Sequence, residues 1–208
     1  MHRITVVDNF ITKDDAQTLI SQQLDPNAER NEYPKYYSDR YGGTSLPYNK
    51  IVQDIMIKYG HKANEMHKAL NGFKNDIYVF KGFGSQWTVG SKGNLHIDAQ
   101  GPEPFIEFST IMYLNNEEEY DGGVIYFPNQ DFQYKPKQYS AVFFPGAGTE
   151  YIHGITTVTR GERFTALFMH TSLPEHADPD YHPNPGRWKA GEYPLAKLWN
   201  IRLRISFI

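Results

Sequence analysis

Near residue 76 the hydrophobic pattern of the chain changes from a helical period to an extended one. After this point, short runs rich in β-branched and aromatic residues alternate with turns built from glycine, proline and acidic residues. The runs that we interpret as strands are 76–81, 95–98, 105–114, 124–127, 139–144, 150–158 and 163–171, with 82–93 as a glycine-punctuated connection. Short strands separated by turns at this spacing favour an antiparallel sandwich or barrel.

Two helices are predicted before the strands. Thr12 is a suitable N-terminal cap, and the apolar residues after it follow a helical period as far as Pro26. A second helix is predicted between Ile51 and Leu70, where apolar residues recur at steps of three and four, and it should end near Gly72. We expect these helices to cover the outside of the β structure.

Composition narrows the classes of function. The 208 residues carry a net charge of −3, which provides no basic surface for nucleic acid or for an anionic membrane. The chain has no run of about 18 apolar residues, and its first residues lack the apolar segment of a signal peptide. It also has no cysteine, which excludes thiolate metal sites. We expect a soluble cytoplasmic protein that binds neither nucleic acid nor membrane, and its oligomeric state is left open.

A histidine and a carboxylate stand two residues apart in one extended run. In His96-x-Asp98 both side chains lie on the same face of a strand, so they can converge on one point. His153, in a later extended run, supplies a second imidazole. Two histidines and one carboxylate form the facial triad of non-haem Fe(II) sites, which leaves positions on the metal open, whereas structural zinc takes four protein ligands.

Arg163 stands ten residues after His153. The turn at 159–162 predicts that the runs on either side of it pair as a hairpin, which would place Arg163 deep relative to the metal. A guanidinium binds a carboxylate through two parallel hydrogen bonds. A metal at one end and Arg163 at the other would therefore hold a dicarboxylate such as 2-oxoglutarate. The alternatives are that Arg160 is the basic partner, or that Arg163 forms a surface ion pair with Glu162 or Glu150.

The other histidines are interpreted without a role in this site. His61 and His67 lie on different sides of the second helix, so they cannot share a metal and are expected in solvent. His176 and His182 lie in a proline-rich loop and are also expected at the surface. His170 is a less favoured candidate for the mouth of the pocket.

In this order and spacing, the residues resemble the iron- and 2-oxoglutarate-dependent dioxygenases. Further strings resemble the prolyl 4-hydroxylase-like branch of that family, and with the opening at 6–11 they extend the resemblance over most of residues 4–171. One position differs, because Trp87 stands where the family usually has a tyrosine. The strings are Tyr113-Leu114-Asn115, the glycine-rich run 121–128, Val142 to Pro145, His153-Gly154 and Gly161-Glu162-Arg163.

The resemblance implies a mainly β (α+β) fold with a double-stranded β-helix (jelly-roll) core and N-terminal helices packed on its outside. We expect one domain over 1–208. It would consist of a helical part at 1–75, the jelly-roll core at 76–173 and a C-terminal extension at 174–208.

The resemblance also implies the roles of the site residues. His96, Asp98 and His153 would be the catalytic residues that bind Fe(II), Arg163 would bind the distal carboxylate of 2-oxoglutarate, and Tyr113 would help to hold it. The cosubstrates would be 2-oxoglutarate and O2, with ascorbate as an accessory reductant. The carboxylate at 98 favours hydroxylation, because family halogenases have a small residue in its place.

The expected reaction is hydroxylation of a C–H bond with release of succinate and CO2. A prolyl residue in a peptide or protein is the first choice of substrate. The alternatives are a free amino acid or other small metabolite, and a non-catalytic jelly-roll binding module. Repair of alkylated bases ranks below these, because the chain lacks both the arginine-rich string of that family and a basic face.

Overall fold

The computed structural model describes residues 4–28, 46–47, 49–101 and 103–182. Its helices are α1 (Lys13–Leu24) and α2 (Lys50–Asn71). In chain order its strands are β1 (Thr5–Val7), β2 (Tyr78–Trp87), β3 (Gly93–His96), β4 (Phe108–Tyr113), β5 (Tyr120–Asp121), β6 (Ile125–Phe127), β7 (Phe132–Tyr134), β8 (Ala141–Pro145), β9 (His153–Ile155), β10 (Arg160–Gly161) and β11 (Arg163–Thr171).

Two antiparallel sheets form the jelly roll that the resemblance implied. The larger sheet has the strand order β1-β8-β4-β11-β2, and the smaller one has the order β3-β9-β6-β7. A separate two-stranded pair joins β5 and β10. The described part of the chain is mainly β with two α-helices, as expected.

The central strand β4 divides the apolar interior into two cores. Ile111 and Tyr113 belong to the inner core, together with residues of the smaller sheet such as Ile125 and Phe127. Met112, on the opposite face of β4, belongs to the outer core that the larger sheet shares with α1 and α2. The two faces alternate because successive strand side chains point to opposite sides.

Both helices begin and end where the sequence predicts. The side chains of Thr12 and Asn49 accept hydrogen bonds from the backbone N–H groups of Asp15 and Val52, at 3.3 and 3.0 Å. These caps satisfy amides that have no partner inside the helix. Gly72 ends α2 in the left-handed conformation, with φ of 63°.

The expected connection at 82–93 is wrong, because β2 continues to Trp87. Glycines belong to this strand because their neighbours come too close for a side chain. A Cβ at Gly82 would clash with the hydroxyl of Tyr181, and a Cβ at Gly84 would clash with Leu46. Glycine in a strand can thus mark a close approach and not a turn.

The expected hairpin between 150–158 and 163–171 is also wrong. β9 pairs with β3 and β6 in the smaller sheet, whereas β11 pairs with β2 and β4 in the larger one. The chain crosses between sheets at the short β10 strand, because Arg160 and Gly161 pair with β5 instead. His153 and Arg163 therefore reach the interior from opposite sheets.

Residues 174–182 continue past the last strand and cover the edge of β2. The N–H of Asp178 donates to the carbonyl of Val79, and the N–H of Val79 donates to Nε2 of His182, both at 2.9 Å. This segment supplies the hydrogen bonds that an edge strand lacks. The remainder of the predicted C-terminal extension, 183–208, lies outside the described residues, and the division of the chain into three parts stays a prediction.

Candidate metal centre and carboxylate pocket

Three side chains that the sequence singled out converge at one end of the inner core. His96 ends β3 and His153 begins β9, and the two are direct partners across the strand pair. Asp98 follows two residues after β3. Nε2 of His96 and Nε2 of His153 lie 3.4 and 3.9 Å from Oδ1 of Asp98, and the three ligand atoms all lie within 4.8 Å of one another. This set of donors fits a metal ion.

Backbone carbonyls orient both imidazoles. Nδ1 of His96 lies 2.7 Å from the carbonyl oxygen of Asn94, and Nδ1 of His153 lies 3.1 Å from that of Tyr151. In a neutral imidazole, a donating Nδ1–H leaves the lone pair on Nε2, which is the atom facing Asp98. Such hydrogen bonds hold metal-binding histidines in their coordinating tautomer.

Electrostatics favour the protonation states that a metal requires. Burial lowers the pKa of His153, which keeps its imidazole neutral, although the Asp98 charge opposes this shift. Burial by itself would raise the pKa of Asp98, but its contacts with His96, His153 and the hydroxyl of Ser109 hold that pKa below its usual value. A neutral imidazole and an ionised carboxylate are the ligand forms.

A buried guanidinium lies at another position of the inner core. Arg163, the first residue of β11, is 1% exposed. Its Nε and Nη1 atoms, and the nearby hydroxyl of Tyr113, make no hydrogen bond with any residue in the described part of the chain. Buried donors without an acceptor are costly, so these groups fit an anionic ligand.

Aromatic side chains enclose this guanidinium. Its central carbon lies 4.8 Å from the ring centre of Trp87 and 5.1 Å from that of Tyr113. Burial raises the pKa of Tyr113, and burial raises that of Tyr120 to about 12, although the Arg163 charge opposes both shifts. The two phenols therefore stay protonated at neutral pH, and the Tyr113 hydroxyl is available to donate to an anion.

Gly123 makes room for Arg163. A Cβ at Gly123 would lie 2.8 Å from Cδ of Arg163, closer than real contacts allow. Its φ of +63° is also a conformation that favours glycine. The glycine-rich turn before β6 is therefore part of the pocket wall.

The structure brings all five predicted site residues into the inner core, and their roles as ligands stay predictions. Arg160, the alternative basic residue, is exposed and pairs with Asp121, its Nε lying 2.6 Å from Oδ2. His170 is fully buried on the helical side of the larger sheet, where it contacts Asn64 and Thr110, and it does not face a pocket mouth. The interpretation of His67 and His182 as surface residues is wrong, because both are buried.

Sequence reasoning missed Ser109 as a contributor to the site and left the role of Trp87 open. Ser109 donates to Asp98, and Trp87 packs on Arg163. Strand alternation could have indicated Ser109, because it lies four residues before Tyr113 and shares its face of β4. Trp87 could not be placed, because its strand was interpreted as a connection.

Residues 84–170 match the model of the 2OG-Fe(II) oxygenase superfamily. All five predicted site residues lie within the matched segment. Proteins of this superfamily use Fe(II), 2-oxoglutarate and O2, and the donor triad and the free Nε and Nη1 donors of Arg163 fit the metal and the dicarboxylate.

The chain is similar in sequence to a curated prolyl hydroxylase. It is 37% identical over 81 residues to prolyl 3-hydroxylase 1 of Rattus norvegicus, a match that covers 36% of this chain and 11% of that protein. The chain thus spans about a tenth of the length of the curated relatives that it matches.

Two solved structures share its fold. The viral collagen prolyl hydroxylase of Paramecium Bursaria Chlorella virus-1 has a TM-score of 0.64 and 17% identity, covering 82% of this chain and 96% of that one. A prolyl hydroxylase from Trichoplax adhaerens, in complex with a hypoxia inducible factor peptide fragment, has a TM-score of 0.59 and 13% identity, covering 83% and 85%. At these identities the likeness shows the fold alone.

Among the described residues, neither helix combines the length and the apolar character that crossing a membrane requires.

Proposed function

We propose that this protein is an oxygenase that hydroxylates a C–H bond with Fe(II), 2-oxoglutarate and O2, and that its substrate is a prolyl residue of a peptide or protein. The observation that carries the proposal is the pairing of two features in one core. One is a triad of metal-ligand type, and the other is a buried guanidinium whose Nε and Nη1 atoms have no acceptor in the described part of the chain. A metal alone would explain only the first.

Each site residue has a distinct role in this proposal. His96, Asp98 and His153 hold the metal through Nε2, Oδ1 and Nε2. Arg163 and Tyr113 donate hydrogen bonds to the distal carboxylate of 2-oxoglutarate, since both have unsatisfied donors there. Three protein ligands of this kind would leave the remaining positions of a bound metal open for 2-oxoglutarate and O2.

The reaction balances without a further reactant. One oxygen atom of O2 enters the substrate, converting C–H into C–OH, and the other enters succinate as 2-oxoglutarate loses CO2. When bound, the iron and 2-oxoglutarate supply the oxidant. The protein orients these groups and excludes water, and Phe127 and Phe144, which pack against His153 at ring distances of 5.2 and 4.7 Å, contribute apolar walls.

The choice of a prolyl substrate rests on relatives. A curated relative is a prolyl 3-hydroxylase, and one structural neighbour holds a peptide fragment. The names of these proteins specify different carbons of the proline ring. The curated relative is a prolyl 3-hydroxylase, whereas another structural neighbour is a prolyl 4-hydroxylase of Pseudomonas putida. We therefore leave the choice between C3 and C4 to the experiment.

The test measures succinate release together with a mass gain of one oxygen atom. Proline-containing peptides, free proline and other amino acids are screened in parallel with Fe(II), 2-oxoglutarate and ascorbate. We expect peptide hydroxylation by the wild type and none by His96→Ala, Asp98→Ala or His153→Ala, which lose one ligand each. Hydroxylation of free amino acids alone would favour the small-metabolite alternative.

A non-catalytic binding module is the rival from another class. Such a module would bind ligands without turnover, and its site would lack a ligand or the basic residue. All five predicted residues are present, which favours an enzyme. A wild type that binds Fe(II) and 2-oxoglutarate but releases no succinate with any substrate would support the module.

A further inference from the structure

The two carboxylate oxygens of Asp98 have different surroundings. Oδ1 faces Nε2 of His96 and Nε2 of His153. Oδ2 instead accepts a hydrogen bond of 2.5 Å from the hydroxyl of Ser109. We infer that Ser109 is a positioning residue that restricts Asp98 to binding the metal through Oδ1 alone. This inference rests on the metal-binding role of Asp98 in the proposed function.

Ser109 is suited to this role because it lies on β4, the central strand of the larger sheet. It has no exposed surface, and its Cα pairs with Phe144 of β8 on one side and with Met169 of β11 on the other. Asp98, by contrast, follows β3 in a turn, where the N–H of Ala99 donates to the carbonyl of Gly146 at 2.9 Å. The hydrogen bond from Ser109 thus links Asp98, which lies in a turn, to the central strand of the larger sheet.

This tie also joins the two halves of the metal centre. His96 and His153 belong to the smaller sheet, whereas Ser109 belongs to the larger one. The hydrogen bond therefore sets the distance of the carboxylate from the imidazoles across the inner core. Without this hydrogen bond, the Asp98 carboxylate is free to rotate about its Cβ–Cγ bond.

The chemical consequence concerns the number of open metal positions. Carboxylates bind metals through one oxygen or through both. A donor on Oδ2 disfavours the second mode, because that oxygen is already engaged in a charge-assisted hydrogen bond. One more position then stays free for a bidentate cosubstrate and for O2. Hydrogen-bond partners of metal ligands usually contribute about 10–100-fold to metal affinity.

The test measures the affinity for Co(II), which is stable in air, by calorimetry on the full chain without 2-oxoglutarate. We expect Ser109→Ala to bind Co(II) about 10–100-fold more weakly than the wild type. Ser109→Thr keeps the hydroxyl and should recover most of this loss. Ser140→Ala is the matched control, because it removes another fully buried serine hydroxyl, which donates to the carbonyl of Lys137 at 2.6 Å.

Each result decides between defined possibilities. Unchanged Co(II) affinity in Ser109→Ala, with normal wild-type binding, overturns the inference and leaves the proposed function intact. An equal loss in Ser140→Ala assigns the effect to packing and also overturns the inference. A wild type without Co(II) affinity overturns the proposed metal site, and the inference with it. The thermal midpoint of the metal-free variants separates loss of fold from loss of ligand geometry.

Discussion

Arg163 and Trp87 are direct partners across the pair of strands β11 and β2, and the guanidinium carbon lies 4.8 Å from the indole ring centre. The indole Nε1 lies 3.3 Å from the hydroxyl of Thr165, two residues along β11, so the ring is fixed at its other end as well. The Trp87 side chain therefore packs on the guanidinium and supports its position in the pocket.

Replacing Trp87 should weaken 2-oxoglutarate binding. A cation–π contact is worth about 0.5–2 kcal/mol, so Trp87→Leu should raise the dissociation constant about 2–30-fold. Trp87→Phe keeps an aromatic face and should lie between Trp87→Leu and the wild type. Anaerobic titration of the Fe(II)-loaded variants with 2-oxoglutarate checks this. Equal affinity in Trp87→Leu and the wild type would contradict the supporting role.

Removing the guanidinium should have a larger effect. Losing one partner of a desolvated charge pair costs roughly 2–5 kcal/mol, so Arg163→Ala should bind 2-oxoglutarate about thirtyfold to several thousandfold more weakly. Arg163→Lys should recover part of the affinity, since lysine supplies the charge without the planar fork. Arg160→Ala removes an exposed arginine and serves as the control. A loss in Arg160→Ala and none in Arg163→Ala would reverse the assignment.

The close approach of Gly123 to Arg163 can be tested with a pair of glycines. Gly123→Ala introduces a Cβ at 2.8 Å from Cδ of Arg163, whereas Gly72→Ala, at the same φ of +63°, meets nothing within 4 Å. Both should destabilise the fold by about 1–2 kcal/mol through the left-handed backbone. Only Gly123→Ala should also weaken 2-oxoglutarate binding, because its Cβ displaces Arg163. Loss of one charged hydrogen bond from Arg163 would weaken the binding about tenfold or more. Urea unfolding and ligand titration measure the two effects separately.

Buried histidines should make the fold sensitive to mild acid. Burial lowers the pKa of His67 and of His182 to about 3, and it lowers that of His170 as well. Below about pH 6.5 the unfolded chain takes up protons that the folded protein does not, so the free energy of unfolding falls as the pH falls. Each histidine contributes up to about 1.4 kcal/mol per pH unit.

Urea unfolding between pH 7 and pH 5 measures this dependence. His67→Gln removes one titrating group and should make the slope shallower, even where it lowers stability at pH 7. A free energy of unfolding that stays constant over this range would contradict the prediction.

Local patterns in the sequence were sufficient for the helix caps, for several strands and for the convergence of His96 and Asp98. The caps at Thr12 and Gly72 and the strand at 163–171 depend on neighbouring residues, and the structure has them where predicted. The spacing of His96 and Asp98 brings their side chains together for the same reason.

Properties that depend on distant parts of the chain could not be predicted in this way. The runs around His153 and Arg163 are adjacent in sequence, yet each pairs with strands far along the chain, so a local turn was mistaken for a hairpin. The burial of His67 depends on which face of α2 meets β4, where its Nε2 lies 2.9 Å from the hydroxyl of Thr110. The burial of His182 depends on the return of the last described segment to β2.

The central claim is that one pocket holds Fe(II) through the triad and 2-oxoglutarate through Arg163. Anaerobic absorption spectroscopy tests both parts at once, because 2-oxoglutarate bound directly to Fe(II) produces a charge-transfer band in visible light. We expect the band in the wild type, none in His153→Ala, and a band in Arg163→Ala that needs far more 2-oxoglutarate. A wild-type protein that shows no band at saturating Fe(II) and 2-oxoglutarate would contradict the claim.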